Sequence, residues 1–251
     1  MGGAMAEGIV RSACFKPSDL TVSDHHMAAL EHFTALGASA TPDNRLAVEG
    51  SDVVCVVVKP WCVEQTLKGI SDVLDSRRQL LVVVAAGVSS AQVKAWLGLG
   101  ADTPPLFLAM PNIAIAYKAS MTYITPVGAS EADIKRVTAI FGELGDSVLL
   151  EESQYPAATA MSCSIAYAMR YVRASVEGAV ELGFKARVAQ KIVLQTVAGA
   201  VELLKATGEH PEAAIDRVTT PGGLTIRGLN EMERAGFTGA VVRGLKAGKP
   251  E

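Results

Sequence analysis

The stretch Val218-Thr219-Thr220-Pro221-Gly222-Gly223-Leu224-Thr225-Ile226-Arg227-Gly228-Leu229-Asn230-Glu231-Met232-Glu233 holds the residues best suited to chemistry. Pro221 cannot continue a helix from upstream, and two glycines follow it. From Leu224 an apolar pattern through Ile226, Leu229 and Met232 steps at helical spacing, and Gly236 stands where that helix would stop. The segment therefore predicts a loop that opens into a helix with an exposed first turn. Gly222 and Gly223 put no Cβ between a ligand and the backbone. The free N–H groups of the first turn, backed by the helix dipole, make a seat for an anion. A carboxylate is the small anion that fits, and Thr225 is placed to aim a hydroxyl at whatever that carboxylate is attached to. The alternative is an ordinary helix start, for which Thr219, Thr220 and Pro221 are already good residues.

The elements that must position such a site begin with an alternation of strands and helices. Gly2–Val10 reads as a helix packed close to a sheet, and Pro17-Ser18-Asp19 breaks the chain after it. Leu20–Ser23 is a short strand ending in Asp24, and a helix through Leu30, Phe33 and Leu36 closes at Gly37. Asp52–Val58 is a continuous apolar run of strand length, suited to burial on both faces, and Lys59-Pro60 ends it. Leu80–Val84 leads into Ala85-Ala86-Gly87, and Leu106–Ala109 into Met110-Pro111-Asn112, with a helix near Ala91–Leu97 between them. Met121–Thr125 and Ser147–Leu150 read as further strands around a helix, Glu131–Leu144. The alternation predicts a doubly wound parallel sheet, which binds ligands beyond the carboxyl ends of its strands. Those ends are Asp24, Lys59, Ala85 to Gly87, and Asn112.

A dinucleotide fold needs a first strand and a G-x-G-x-x-G turn, because the pyrophosphate touches backbone at a helix start. This sequence shows neither before Gly2. The expectation is a start that is truncated or misassigned, with the reading frame continuing upstream of Met1; a turn genuinely lost is the alternative. Asp24 follows Gly2 by about 20 residues, the separation at which an acid reads a ribose 2′-hydroxyl and favours NAD. His25 and His26 beside it could soften that acid toward a 2′-phosphate.

From Tyr155 onward the pattern is helical. Ile165, Met169, Val172, Val176 and Val180 step along one long helix that Gly183 ends. A second helix carries Ala189, Ile192, Val193, Thr196, Val197, Ala200, Val201 and Leu204, a stripe wider than one neighbouring helix covers. That width predicts a homodimer with interleaved helices, or a higher assembly of such dimers; the alternative is a helix central to its own bundle. The organisation is thus 1–153 as a nucleotide-binding α/β domain and 154–251 as an all-α domain for substrate binding and dimerisation.

Bulk properties exclude other classes. The chain is 49% hydrophobic, and 23 basic against 26 acidic residues leave a net charge of −3, so it is globular and has no basic stripe for nucleic acid. Cys14, Cys55, Cys62 and Cys163 are scattered without a C-x-x-C pair, which argues against a disulfide framework or a zinc site and leaves packing as the role of the first three. No secretory signal pattern and no bilayer-length apolar run stand out, so a cytoplasmic protein without membrane contact is expected.

The run VTTPGGLTIRGLNEMERAGF resembles the C-terminal motif of the pyrroline-5-carboxylate reductase family, V(T/S)SPGGTTIxGLxxLExGGF, departing at Thr220 and Leu224. Along the chain Met1-Gly2 resembles the end of the family's GxGNMG turn, Val58-Lys59-Pro60 its VKP, Ala85-Ala86-Gly87-Val88 its AAGV, and Met110-Pro111-Asn112 its MPNTP, with Ile113 and Ala114 in place of Thr and Pro. Ser162-Cys163-Ser164-Ile165-Ala166-Tyr167 is similar to its GSGPAY or GCGPAY, with Ser164 for Gly and Ile165 for Pro.

The resemblance implies a Rossmann-like sheet with its first strand missing, a helical dimerisation domain, and reduction of 1-pyrroline-5-carboxylate to L-proline, the last step of proline biosynthesis. It implies NADP as cofactor, with NAD left open. Cofactor contacts would come from Gly2, Ser23, Asp24, Asn44, Val58, Lys59, Ala85, Ala86, Gly87 and Asn112. Substrate contacts would come from Thr219, Thr220, Gly222, Gly223 and Leu224, and Thr225 would polarise the imine nitrogen. Cys163 has no histidine context that would make it a nucleophile. Two rivals remain. Hydroxy-acid dehydrogenases of similar build use a tail-domain lysine, but Lys185, Lys191 and Lys205 lack a loop context for it. A non-catalytic metabolite-binding dimer would follow if the cofactor turn were truly lost.

Overall fold

The computed structural model describes residues 1–249, which form two compact units, Met1–Ser162 with Lys249, and Cys163–Gly248. The first unit runs α1 (Gly2–Val10), β1 (Thr21–Ser23), α2 (Met27–Ala35), β2 (Ser39–Thr41), α3 (Asn44–Val48), β3 (Val53–Val56), α4 (Pro60–Ile70), β4 (Leu80–Val83), α5 (Ser90–Leu97), β5 (Leu106–Met110), β6 (Ser120–Val127), α6 (Glu131–Gly142), β7 (Gly145–Leu149) and α7 (Tyr155–Cys163).

Two sheets form. β1 and β2 pair in parallel, Val22 opposite Ala40. The second sheet has the order β3-β4-β5-β6-β7. Its β3, β4 and β5 are parallel, as the strand–helix alternation predicts. β6 departs from that expectation by running antiparallel to β5, and β7 then runs parallel to β6. The sheet is therefore mixed, and the reason lies in the connection. Residues 111–119 hold only a 3-10 turn (Ile113–Tyr117) and Lys118 in the left-handed region at φ 59°. A parallel crossover takes about a dozen residues or more, usually with a helix, so this chain can only turn back.

The pleat sends alternate side chains to two cores. Val54, Val56, Leu81, Val83, Leu106 and Leu108 face α4 and α5 through Val63, Leu67, Ile70, Val93 and Leu97. Leu80, Val82, Phe107, Ala109 and Ile124 face Met5 of α1 and Val137 and Phe141 of α6. β4 and β5 are buried at every position. β3 is not: it lies at the sheet edge, with Val54 and Val56 buried and Cys55 exposed. Cys14 is exposed as well, so packing is not the role of these two thiols. α1 reaches its sheet because Gly8 has no side chain; a Cβ there would overlap the Ile115 carbonyl oxygen. The helix starts carry their own signals, with capping boxes at Ser89/Gln92 and Ser130/Asp133.

The second unit is α8 (Ile165–Glu181), α9 (Ala186–Thr207), α10 (Pro211–Arg217), α11 (Leu224–Arg234) and α12 (Phe237–Ala247). Gly183 at φ 97° and Gly208 at φ 63° end α8 and α9 in left-handed backbone. Tyr171 of α8 meets Phe237 of α12 edge-on at 6.2 Å, and the Tyr167 hydroxyl donates to Gly244 O at 3.3 Å. Yet α8, α11 and α12 bury no residue, and α9 buries only Ala189 and Val193. The wide stripe of α9 is thus not covered by its own bundle: Ile192 and Val201 remain 42% and 50% exposed, with Val188 next to the stripe at 46%. No helix among the described residues is long and apolar enough to cross a membrane.

Candidate active site

The loop before α11 has the shape that its glycines demand. Gly222 sits at φ 71°, a left-handed conformation that a side chain disfavours. Gly223 N–H donates to Thr220 O at 2.9 Å, closing a tight turn. A Cβ on Gly223 would overlap Thr220 Oγ1 and stand 3.0 Å from Thr220 O, so a side chain here requires the Thr220 side chain to turn away and its carbonyl to give slightly. Gly223 is the N-cap of α11 and offers no side-chain cap to the first turn. Its own N–H is already bonded within the turn, which engages one of the expected backbone donors, while the first-turn N–H groups of Leu224 and Thr225 lack intrahelical partners.

Leu224 is 83% exposed, and Thr225 is exposed beside it. Thr219 differs from expectation: its hydroxyl donates to Ile215 O at 2.7 Å, fastening the end of α10, so its proton is not available to a ligand. The exposed Thr220 packs its hydroxyl under Gly223.

In the first unit the carboxyl ends of β3, β4 and β5 lie side by side, with Val56 opposite Val83 and Val83 opposite Leu108. Ala85 is buried, while Ala86 and Gly87 are exposed, with Gly87 at φ 74°. Val58 is half-buried and Lys59 exposed; Lys59 is the N-cap of α4. Gly2 lies against Val57, where a Cβ would stand 3.5 Å from Val57 O, so the uncapped start of α1 is at the carboxyl end of β3. A helix N-terminus beside the ends of parallel strands is the donor set that fits a pyrophosphate, and these residues fit a dinucleotide.

Ser23 and Asn44 are brought together, the Ser23 hydroxyl donating to Asn44 Oδ1 at 2.8 Å. Asp24 Oδ1 accepts from His26 N–H at 2.8 Å and meets His26 Nδ1 at 2.8 Å. These bonds, the backbone one first, hold the Asp24 carboxyl below its ordinary range. Asn112 is more structural than expected, since its Oδ1 accepts from Ala114 N–H at 3.0 Å and caps the 3-10 turn.

Some groups escaped the sequence reading. The Ser162 hydroxyl donates to Pro111 O at 2.7 Å and the Tyr155 hydroxyl to Ala109 O at 3.2 Å, so α7 holds the backbone at the end of β5. Burial, with the Glu152 charge second, pushes the Tyr155 phenol well above its usual pKa. Glu152 accepts from Ser90 N–H at 2.8 Å and from the Ser90 hydroxyl at 2.6 Å, at the start of α5. None of these pairs is close in sequence, so no spacing could have announced them. Among the described residues no group of three or more His, Cys, Asp or Glu could hold a metal.

Known proteins resemble the chain over nearly its whole length. Residues 152–250 match the family model "Pyrroline-5-carboxylate reductase dimerisation", and residues 1–87 match "NADP oxidoreductase coenzyme F420-dependent". Pyrroline-5-carboxylate reductase 1 of Dictyostelium discoideum is 34% identical over 98% of this chain, which spans 46% of that longer protein. The pyrroline-5-carboxylate reductase of Synechocystis is 32% identical over 98% of this chain and 92% of its own length. Among solved structures, a pyrroline-5-carboxylate reductase from Coxiella burnetii superposes with a TM-score of 0.88 at 26% identity, covering 98% of this chain and 93% of that one. The Plasmodium falciparum pyrroline carboxylate reductase with NADP bound has the same fold, with a TM-score of 0.85 at 22% identity over 98% and 90% of the two chains. Identity of 32% to a relative matched over 92% of its length, together with the dimerisation model over residues 152–250, makes the chain a member of the pyrroline-5-carboxylate reductase family.

Proposed function

We propose that this protein reduces 1-pyrroline-5-carboxylate to L-proline, the last step of proline biosynthesis, as a homodimer that uses NADP in preference to NAD. One observation carries the substrate half of this reading: an uncapped helix start behind a tight turn whose Gly222 is in left-handed backbone, with the exposed Thr225 in the helix's first turn. The N–H groups of Leu224 and Thr225 hold the substrate carboxylate, with charge-assisted bonds worth about 1.5–3 kcal/mol each. Gly222 and Gly223 keep side chains out of the carboxylate's way, and Thr220 braces the turn from beneath.

A reduced nicotinamide dinucleotide, when bound, supplies the hydride. Ser23, Asp24 and Asn44 serve its ribose side; Gly2, Val58, Lys59, Ala85, Ala86, Gly87 and Asn112 serve the remainder along the strand ends. Fixing the ring by its carboxylate orients the C=N carbon, so the reaction proceeds without a search over poses. The Thr225 hydroxyl hydrogen-bonds the ring nitrogen and relays a proton to it from water, since a threonine is too weak an acid to donate outright. The dimer is supported by the uncovered apolar faces of α8 and α9 and by the family model that residues 152–250 match. A cytoplasmic setting belongs to the same proposal.

The test is substrate-dependent oxidation of NADPH, compared with NADH, by the purified protein and by Thr225→Ala. The variant is expected to fold normally and to lose about 10²-fold or more in kcat. Full activity in Thr225→Ala would refute its role, and absence of NADPH fluorescence change on mixing would favour a metabolite-binding protein.

A further inference from the structure

On its β4 side, β5 runs past the end of its neighbour. The ladder between the two strands stops at the pair Val83 and Leu108. Pro105 O accepts from Leu81 N–H at 2.9 Å, and by the strand's period of two Ala109 O points to that same side, beyond the end of β4. A buried carbonyl left there needs a donor. Pro111 follows and is buried too, and it has no N–H by which to tether the chain. The backbone that brings Asn112 to the strand ends is therefore not held by β4.

Side-chain hydroxyls hold it instead. Tyr155 and Ser162 stand two turns apart on α7 and so share one face of the helix. The Tyr155 hydroxyl donates to Ala109 O and the Ser162 hydroxyl to Pro111 O at 2.7 Å, and both residues are buried. Glu152, accepting from the Ser90 N–H and hydroxyl, fastens the chain just before α7 to the start of α5. From β6, the buried Ser120 Oγ accepts from Asn112 N–H at 3.0 Å. Pro111 C=O and Asn112 N–H belong to a single planar peptide unit. One peptide plane is thus gripped at its oxygen by Ser162 and at its hydrogen by Ser120. Burying a hydroxyl costs free energy unless it is bonded, and apolar side chains would pack α7 and β6 as well.

We propose that Ser162 and Ser120 are positioning residues for the reduction, with Tyr155 in support: together they fix the orientation of the Pro111–Asn112 peptide against which the reduced dinucleotide lies. The inference rests on the cofactor reading above. None of the three side chains touches the reacting atoms; each acts through backbone. Without the Ser162 hydroxyl, Pro111 O is buried and unpaired, and the peptide turns to find another donor. Because the unit is rigid, that turn also carries Asn112 N–H away from Ser120 Oγ. Loss of Ser120 frees the same plane from its other end. Asn112 and the backbone on either side of it then lose their fixed place beside Ala86 and Gly87, and hydride transfer depends steeply on such placement.

Steady-state kinetics with NADPH and 1-pyrroline-5-carboxylate, well below the melting temperature, test this. Ser162→Ala and Ser120→Ala should each lower kcat/KM for NADPH about tenfold. The KM for 1-pyrroline-5-carboxylate should stay within about twofold, because the carboxylate seat takes nothing from β5. The double variant should lose less than the product of the two single losses, since either change alone frees the plane. Ser162→Thr keeps a hydroxyl and should recover most of the activity. Tyr155→Phe removes a single oxygen and should lower kcat/KM for NADPH about threefold; it carries the test if an alanine variant fails to fold. Wild-type kinetics in the variants, with only the melting temperature lowered, would make these hydroxyls structural and overturn the role while leaving the cofactor site standing. Fully multiplicative losses, or equal losses in Ser162→Thr and Ser162→Ala, overturn it as well. A wild-type protein that does not oxidise NADPH with this substrate overturns the role and the cofactor reading together.

Discussion

The two units dispose of their apolar surface in opposite ways. In 1–162 a mixed sheet is covered on both faces, and Phe107, Leu81, Phe141 and Leu67 are sealed from solvent. In 163–248 five helices bury almost nothing of their own, and Tyr171, Val188, Ile192, Leu194 and Val201 stay in contact with water. A sheet with helices on each side closes its core within one chain. Helices with stripes broader than a single neighbour do not, and they require a second surface. The first unit is therefore expected to be sensitive to crowding of its interior, and the second to charge on its exterior.

The largest effect should follow from charging the uncovered face. Ile192→Glu is expected to raise the dimer dissociation constant about 10³-fold, because an unpaired charge in an interface costs about 3–5 kcal/mol. Trp61→Glu, on the 78% exposed Trp61 of α4, should leave assembly unchanged. Sedimentation of both variants measures the contrast; an Ile192→Glu protein that sediments as wild type would mean that the face of α9 is covered by something other than a second copy.

Next in size is Gly223→Ala. A methyl there overlaps Thr220 Oγ1 and presses on Thr220 O at 3.0 Å, so the Thr220 side chain must turn away and the seat shift, and misplacing a bound substrate by about 1 Å lowers kcat/KM about 10²-fold. Steady-state kinetics with unchanged melting would locate the damage in the seat and not in the helices.

In the first unit Gly8→Ala forces a Cβ onto the Ile115 carbonyl, and overpacking of this kind costs about 1–3 kcal/mol. Gly69→Ala, where no heavy atom lies within 4 Å of the added Cβ, should instead gain about 0.5–1 kcal/mol of helix stability. Denaturant melts of the pair would show whether the close approach of α1 is as tight as its geometry.

The smallest effect concerns the capping box of α6. The Ser130 hydroxyl and then its N–H hold the Asp133 carboxyl below its ordinary pKa. A lowered folded pKa contributes stability that is present above the unfolded pKa and lost as pH falls through the folded one. Ser130→Ala should cost about 1 kcal/mol near neutral pH, and the gap to wild type should narrow once the pH drops through the carboxylate range. A gap that stays constant into acid would place the contribution in the Ser130 hydroxyl alone.

Local signals carried much of this structure. Strands β4 and β5 were legible because their residues are apolar without interruption, and α11 because Pro221, the two glycines and Gly236 mark both ends. The reversal at β6 was less so: only the length of the 111–119 connection decides it, and a strand's direction leaves no mark on its composition. Cys55 looked buried within its apolar run, but a sheet edge is a property of pairing, not of side chains. Within the site, Gly222 and Thr225 were evident by type and spacing. The bond of Thr219 to Ile215, the bond of Gly223 to Thr220 and the capping role of Asn112 were not, because each turns on which of several local acceptors or donors the backbone presents. The pins from Ser162 and Tyr155 to the end of β5 join residues far apart in the chain, which one sequence cannot register.

The most direct test of the proposed chemistry is a crystal structure of the protein with L-proline bound. The carboxylate oxygens should lie about 3 Å from the N–H groups of Leu224 and Thr225, with the ring nitrogen within hydrogen-bond reach of Thr225 Oγ1. A proline bound without contact to residues 219–225 would contradict the account.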